Sequence, residues 1–323
     1  MLTNNNNIDL AMAVFLATDF YDGIVADNAI SVTTLLKPTK AIILAKRVQG
    51  IMEADIASKI PSAFGTALHD AIEKAWLHEP QEAMRMLGYP ERVVEGVRVN
   101  PTTEDEDAID VFLEQRVSKE FRGFLINGKY DMIMDGKIHD YKTTGTYTWI
   151  KDTNKDKYIK QASLYRWLNP EKISNHEVRI NFIFTDWSKL GYIKSPKTYP
   201  AMRIMHRDYK LDSIQDTERW VIAKLKEIAD LHDADEGDMP RCTPADLWQG
   251  DPVYKYYKDA NNRKRSNGNF SSPMEAERKR RESGGMGVVI PVYDTPKACL
   301  YCDAITACKQ AQSYIASGQL KVE

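Results

Sequence analysis

Hydrophobic and polar residues alternate through HEVRINFIFTDW, where Val178, Ile180, Phe182 and Phe184 recur at every second position. That period of two predicts a strand with one buried face. Upstream, INGKYDMIMDGKIHDYKTTG (residues 126–145) holds two strand-like runs on either side of Asp135-Gly136, a dipeptide suited to a two-residue hairpin turn because both central positions need positive φ. Further strand-like runs are expected over ERVVEGVRV (91–99), from Ile109 to Val117 and from Met202 to His206, with an acidic loop, TTEDEDA, between the first two. Helical spacing predicts a capped helix from Ser31 to Arg47 and an amphipathic one from Pro61 to Trp76 with Leu68, Ile72 and Ala75 on one side. A third helix is expected from Asp156 to Leu168, stopped by Asn169-Pro170, and a fourth from Asp216 to Leu231 with the stripe Val221, Leu225 and Ile228. The order of helix, three strands, helix and strand, followed by a cysteine-bearing tail, predicts an α/β or α+β core. The expected domains are residues 1–235 and 236–323.

Composition narrows the function classes. The 323 residues are 43% hydrophobic and 28% charged with a formal net charge of −2, which excludes a globally basic nucleic-acid coat but not a local basic groove. No apolar run approaches a membrane span and the first residues lack the basic flank of a secretory signal, so a cytoplasmic location and no membrane partner are expected. In a reducing compartment, Cys242, Cys299, Cys302 and Cys308, the last three spaced C-x2-C-x5-C, suit metal ligation better than disulfides. Four thiolates satisfy tetrahedral zinc and an iron-sulfur cubane equally. The segment from Tyr254 to Gly287 carries nine Lys or Arg, including Arg263, Lys264 and Arg265. It reads as a solvated or disordered insertion, or as a contact to a phosphate backbone.

The candidate chemistry starts at the hairpin. With Asp135-Gly136 as the turn, Met134 faces Lys137, Ile133 faces Ile138, Met132 faces His139 and Asp131 lies opposite Asp140, with Lys142 on the same face. Opposed carboxylates repel unless solvent screens them or a cation lies between them, and hard oxygen ligands suit magnesium or manganese. The competing reading is a surface hairpin with scattered solvated charges. His69 and Glu73 share one helix face at i and i+4, as do Gln161 and Tyr165.

Taken in order, Gly65-x3-His69-x3-Glu73, Asp131, Asp140-Tyr141-Lys142 and Gln161-x3-Tyr165 resemble the RecB-like branch of the PD-(D/E)xK nuclease superfamily, over roughly residues 31–184. The resemblance implies a restriction-endonuclease-like core, a central mixed sheet flanked by helices, and a metal-dependent DNA nuclease, an exonuclease in recombination, repair or phage-style DNA processing. It implies that Asp131, Asp140, His69 and the backbone carbonyl of Tyr141 bind Mg2+ or Mn2+, with Glu73 behind them. Lys142 would orient or deprotonate the attacking water or neutralise charge in the transition state, and Gln161 and Tyr165 would position the scissile strand. The Pro of the superfamily's name is replaced by Tyr130. RecB-like nucleases of bacterial helicase-nuclease complexes and CRISPR-associated systems often hold a [4Fe-4S] cluster on four cysteines, which favours that cluster over zinc here. In those families the first cysteine precedes the core, whereas Cys242 follows it. No phosphate-loop motif occurs, so a helicase or a single-strand annealing recombination protein is the expected partner beside DNA. The rivals are a structure-specific endonuclease and a non-catalytic DNA-binding scaffold.

Overall fold

A computed structural model describes residues 2–18, 24, 26–48, 54–103, 105 and 107–322; Glu104 and Glu106 of the expected acidic loop lie outside these residues. The chain divides into two compact units, Met1–Leu36 with Glu53–Lys226, and Lys37–Met52 with Glu227–Glu323.

Among the described residues, the first unit is a mixed α/β structure whose central sheet has six strands, flanked by helices. Their order across the sheet is Ile204–Lys210, Glu177–Phe184, Lys137–Thr144, Met132–Met134, Ile109–Leu113 and Val97–Val99. Lys137–Thr144 and Glu177–Phe184 run parallel, joined through the helix Lys155–Leu168, as a parallel pair requires a long crossover. The alternation read at Val178, Ile180, Phe182 and Phe184 holds, since all four side chains are buried. Phe182 stacks on Phe184 with ring centroids 6.0 Å apart and meets Trp149 and Tyr158 edge-on.

The hairpin forms in the expected register, pairing Met132 with His139, Ile133 with Ile138 and Met134 with Lys137. Asp135 and Gly136 take φ of 49° and 69°. The positive φ selects glycine at 136, and a Cβ there would also displace the Ser174 hydroxyl, 2.2 Å away.

Three expected elements differ. ERVVEGVRV is a short helix, Glu91–Gly96, that follows Pro90 and carries Glu91 in its first turn, and only Val97–Val99 is extended. The run from Ile109 to Val117 is two strands, Ile109–Leu113 and Arg116–Phe121, broken where Glu114 turns left-handed at φ 48°. Asn100 Oδ1 holds this break by accepting from Leu113 N and Gln115 Nε2. The second strand leaves the central sheet and pairs with Phe124–Lys129, which also pairs with Ala29–Ser31. The helix expected from Ser31 to Arg47 is interrupted at Pro38 into Val32–Leu35 and Thr39–Arg47.

Thr39–Arg47 belongs to the second unit, although the expected division at residue 235 placed it in the first. Lys40 and Glu236 form a buried ion pair at 2.8 Å, Thr39 Oγ1 donates to Glu227 Oε2 at 2.7 Å, and Ile43 and Leu44 pack on Met239 and Ala304. In the same unit Val253–Tyr257 pairs antiparallel with Gly268–Phe270 and Val288–Val292. The helix Pro273–Glu282, capped by Ser272, packs on this small sheet through buried Ala276. Residues 254–287 are therefore an ordered module rather than a disordered insertion, because Tyr256 and Tyr257 supply it with a core. Among the described residues no helix is long and apolar enough to cross a membrane.

Candidate active site

The site is assembled in the first unit by the helix Ile60–Leu77, the break at Glu114, the residue preceding the hairpin and the strand Lys137–Thr144. None of the helix's side chains is fully buried; Leu68 and Ile72 are partly covered and Ala75 is exposed. The helix sends His69 to the hairpin, where Nε2 lies 3.0 Å from the carbonyl of Tyr141. A carbonyl only accepts, so Nε2 carries the proton and Nδ1 faces the other way. Nδ1 is 3.5 Å from Asp131 Oδ1 and 3.9 Å from Glu114 Oε1. His69, Glu114 and Asp131 are the set, among the described residues, whose ligand atoms all lie within 4.8 Å of one another.

Each member is held from behind. Asp131 accepts from Tyr141 N at 2.8 Å through Oδ2, and its carbonyl accepts from Glu114 N at 2.9 Å. Lys129 Nζ pairs with Glu114 Oε2 at 2.9 Å, leaving Oε1 toward the histidine. Burial, and then the negative charge of Asp140, push the Asp131 carboxyl above the usual carboxylate range, against His69, Lys142 and the Tyr141 amide. The hairpin pairing begins at Met132, so Asp131 precedes it, and Asp140, expected to share the ion with Asp131, lies outside the three-ligand group although its charge reaches Asp131.

Asp140 is 5% exposed. Lys142 Nζ stands 2.9 Å from its Oδ1 and 2.7 Å from its Oδ2. Only the first contact has hydrogen-bonding orientation, so Oδ2 remains buried with an ion-pair neighbour but no hydrogen bond. Burial alone would lower the lysine, yet the charges of Asp140 and Asp131 and the hydrogen bond to Asp140 hold it above its ordinary value. Lys142 is therefore a protonated cation over the pair.

Gln161 Nε2 donates to Tyr165 Oη at 3.2 Å, and Tyr165 donates to the carbonyl of Lys129 at 2.9 Å. Tyr165 is only 4% exposed, so this pair braces the strand that presents Lys129. A Cβ on Gly128 would fall 2.6 Å from the Tyr165 ring, which makes glycine a condition of that approach. Glu73, a turn beyond His69, lies outside the three-ligand group.

Glu114 escaped the sequence reading because it was placed inside a continuous strand. Its signal is the pair Glu114-Gln115, which interrupts the alternation of Ile109, Val111 and Leu113.

The residues fit a hard divalent cation. Two carboxylate oxygens and an imidazole nitrogen converge, and the imidazole's other nitrogen donates to a backbone carbonyl, an arrangement common for metal-ligating histidines. His69 Nδ1 thus faces the carboxyl groups of Asp131 and Glu114. Tyr141 O orients the histidine in this arrangement.

In the second unit Cys299 is buried in a cluster with Leu247, Ala311 and Leu320, against which Cys242 and Cys308 pack; Cys302 and Cys308 also border Met239 and Ala304. All four thiols are free. Burial, then Asp246 and the other three cysteines, push Cys242 up to about 12, and burial pushes Cys299 up to about 11. Gln310 braces Cys242 by accepting from its amide at 2.9 Å and donating to its carbonyl at 3.0 Å. Arg263, Lys264 and Arg265 are exposed on a loop of the same unit.

Fold and site together define a mixed α/β protein with a candidate divalent-cation centre. Among solved structures, this one is similar to the protein SSO0001, with a TM-score of 0.39, 13% identity, and 63% of this chain and 78% of that one covered. It is also similar to a phage-related exonuclease from Haemophilus somnus 129PT, with a TM-score of 0.25, 17% identity, and 36% of this chain and 58% of that one covered. Both likenesses are too distant to bear on function. No family model and no curated protein matches the chain.

Proposed function

We propose that the first unit is a divalent-metal-dependent deoxyribonuclease of the RecB-like type, an exonuclease acting in DNA recombination, repair or phage DNA processing. The observation that carries this reading is the convergence of His69 Nδ1, Glu114 and Asp131 beside the buried Asp140–Lys142 pair. His69, Glu114 and Asp131 would hold Mg2+ or Mn2+, with Asp140 as the adjoining carboxylate. When bound, such an ion neutralises phosphate charge and lowers the pKa of water.

The chain's own residues supply the rest. Lys142 is already protonated, so it is suited to offset negative charge developing on the phosphate rather than to act as general base. Tyr141 presents the scaffold at both ends, its amide fixing Asp131 and its carbonyl fixing His69. Gln161 and Tyr165 act at one remove, through the strand bearing Lys129.

Digestion of end-labelled linear DNA with Mg2+ or Mn2+ tests the reading. Asp131→Ala, Asp140→Ala and Lys142→Ala are expected to lose cleavage while retaining DNA binding, and undiminished cleavage rejects the site. A closed circle resists an exonuclease, so its cleavage assigns a structure-specific endonuclease instead. DNA binding without any cleavage by the unaltered chain leaves a scaffold.

For the four cysteines we propose a [4Fe-4S] cluster, with zinc as the alternative. The four free thiols are gathered in the packed clusters of the second unit, which supports a shared cysteine-bound group. A brown protein containing iron and sulfide is expected; a colourless protein containing zinc, under both aerobic and anaerobic purification, reverses the choice.

A further inference from the structure

The loop 258–267 joins Val253–Tyr257 to Gly268–Phe270 and borders an open cleft of about 710 Å³. Its ends are closed by one side chain and its backbone. Asn267 Oδ1 accepts from Lys258 N at 2.7 Å, and Asn267 N donates to Tyr256 O at 2.7 Å. The floor is pinned as well, since Tyr256 Oη donates to Met286 O at 3.2 Å. Gly287, at φ 85°, passes so near that a Cβ would lie 2.1 Å from Tyr257 O. A compact loop with joined ends, packed on a small sheet, is a built surface rather than a loose tether.

The cleft is lined by Lys258, Lys264 and Arg265 against one acid, Asp259, with Asn262 and Asn267 adding amide donors. Arg263 stands beside it and donates Nε to Ala260 O at 2.9 Å. Among the described residues the ion pairs within 254–287 are Arg280–Glu277 at 2.8 Å and Arg278–Glu282 at 3.9 Å, both on the helix. Lys258, Lys264 and Arg265 take part in neither pair and outnumber Asp259, the acid that lines the cleft with them. All three are exposed and none is walled in, which suits a passing polymer more than an enclosed small anion. No aromatic ring lines the cleft, so base stacking is not its means of grip.

We infer that this loop is a backbone-binding site for a nucleic-acid strand, in which Lys258, Lys264 and Arg265 contact successive phosphates without reading sequence. The choice of DNA as the strand rests on the nuclease reading; the polyanion site itself does not. Phosphate contacts of this kind release counterions, so log K falls with log[salt] by about 0.9 per contact on duplex and about 0.7 on single strands.

The experiment is fluorescence anisotropy of the full chain with a labelled DNA oligonucleotide across a salt series, in EDTA so that cleavage plays no part. Replacing Lys258, Lys264 and Arg265 together by alanine is expected to reduce the salt slope by roughly 2 on single strands or roughly 3 on duplex, and to weaken binding about a hundredfold at 0.1 M salt. The charge-preserving set Lys258→Arg, Lys264→Arg and Arg265→Lys is expected to keep the slope. A wild-type slope in the alanine variant overturns the proposal, and so does loss of slope in both variants, which would mark the loop as merely structural. Loss of heparin binding with DNA binding intact also overturns it. Because no cleavage is read, a nuclease-negative result for Asp131 or Asp140 leaves this outcome independent, and the converse holds.

Discussion

Lys142→Met separates charge from shape at the centre of the proposed site, because methionine keeps most of the stem and removes the ammonium. In the unaltered chain that ammonium stands 2.7 Å and 2.9 Å from the two oxygens of Asp140. Its side chain is 25% exposed and that of Asp140 is 8% exposed, so the pair is mostly removed from solvent screening. Breaking such a pair by removing one partner costs about 3–5 kcal/mol, and partial exposure of the lysine places the expectation near 3. In metal-free urea denaturation at pH 7, Lys142→Met should show that loss, and adding Asp140→Asn should recover more than half of it. In single-turnover cleavage of end-labelled DNA at saturating Mg2+, loss of a cation aimed at developing charge should lower the rate about 10²–10³-fold, equivalent to about 3–4 kcal/mol. Lys142→Arg should lose less. A Lys142→Met rate within about threefold of the original, against the expected 10²–10³-fold loss, would refute the electrostatic role. So would a pH–rate profile whose ascending acidic limb disappears in the variant, since a lysine working as general base acts only when deprotonated.

Other expectations follow from neighbouring groups. Glu114→Gln should weaken Mn2+ binding by calorimetry at least about tenfold, and an unchanged affinity would remove Glu114 from the ligand set. The raised Asp131 carboxyl means that the metal-free folded chain holds a proton that the unfolded chain has released. Its contribution to stability is therefore present below the unfolded carboxylate range and is lost as pH rises through the elevated folded value. Thermal stability in EDTA should show this loss with rising pH, and Asp131→Asn should flatten it; a curve identical in the variant would exclude the shift. Phe182→Ala should destabilise the fold by about 3–5 kcal/mol, because the ring is fully buried against Phe184, Trp149 and Tyr158, and a cost below about 1 kcal/mol would contradict that packing. Gln310→Ala should lower the metal content of the purified protein by freeing both peptide groups of Cys242, and an unchanged content would show that Gln310 does not position the site.

Much of the hairpin was legible before any coordinates, because few dipeptides tolerate positive φ twice and a period of two then leaves one register consistent with burial. The strand of Val178, Ile180, Phe182 and Phe184 was legible for a similar reason, its pattern being local and its burial one-sided. The ordered motif residues were legible as types at spacings, but their relations were not. Tyr165 reads as a strand-positioning tyrosine in sequence and proves to be buried behind Lys129. Residues 254–287 read as solvated by composition, whereas two buried tyrosines and a capped helix order them.

Local chemistry alone thus specified the hairpin turn at Asp135-Gly136, the apolar face of the strand from Val178 to Phe184 and which acids flank the hairpin. Long-range contact decided that Glu114 joins His69 and Asp131, which nitrogen of His69 carries the proton, and that Thr39–Arg47 packs with the cysteine-bearing unit. Those outcomes depend on a left-handed break propped by Asn100, on a carbonyl more than seventy residues away, and on a buried Lys40–Glu236 pair. Each is a distance between groups remote in the chain, and spacing along a polypeptide carries no record of such a distance until the tertiary fold closes it.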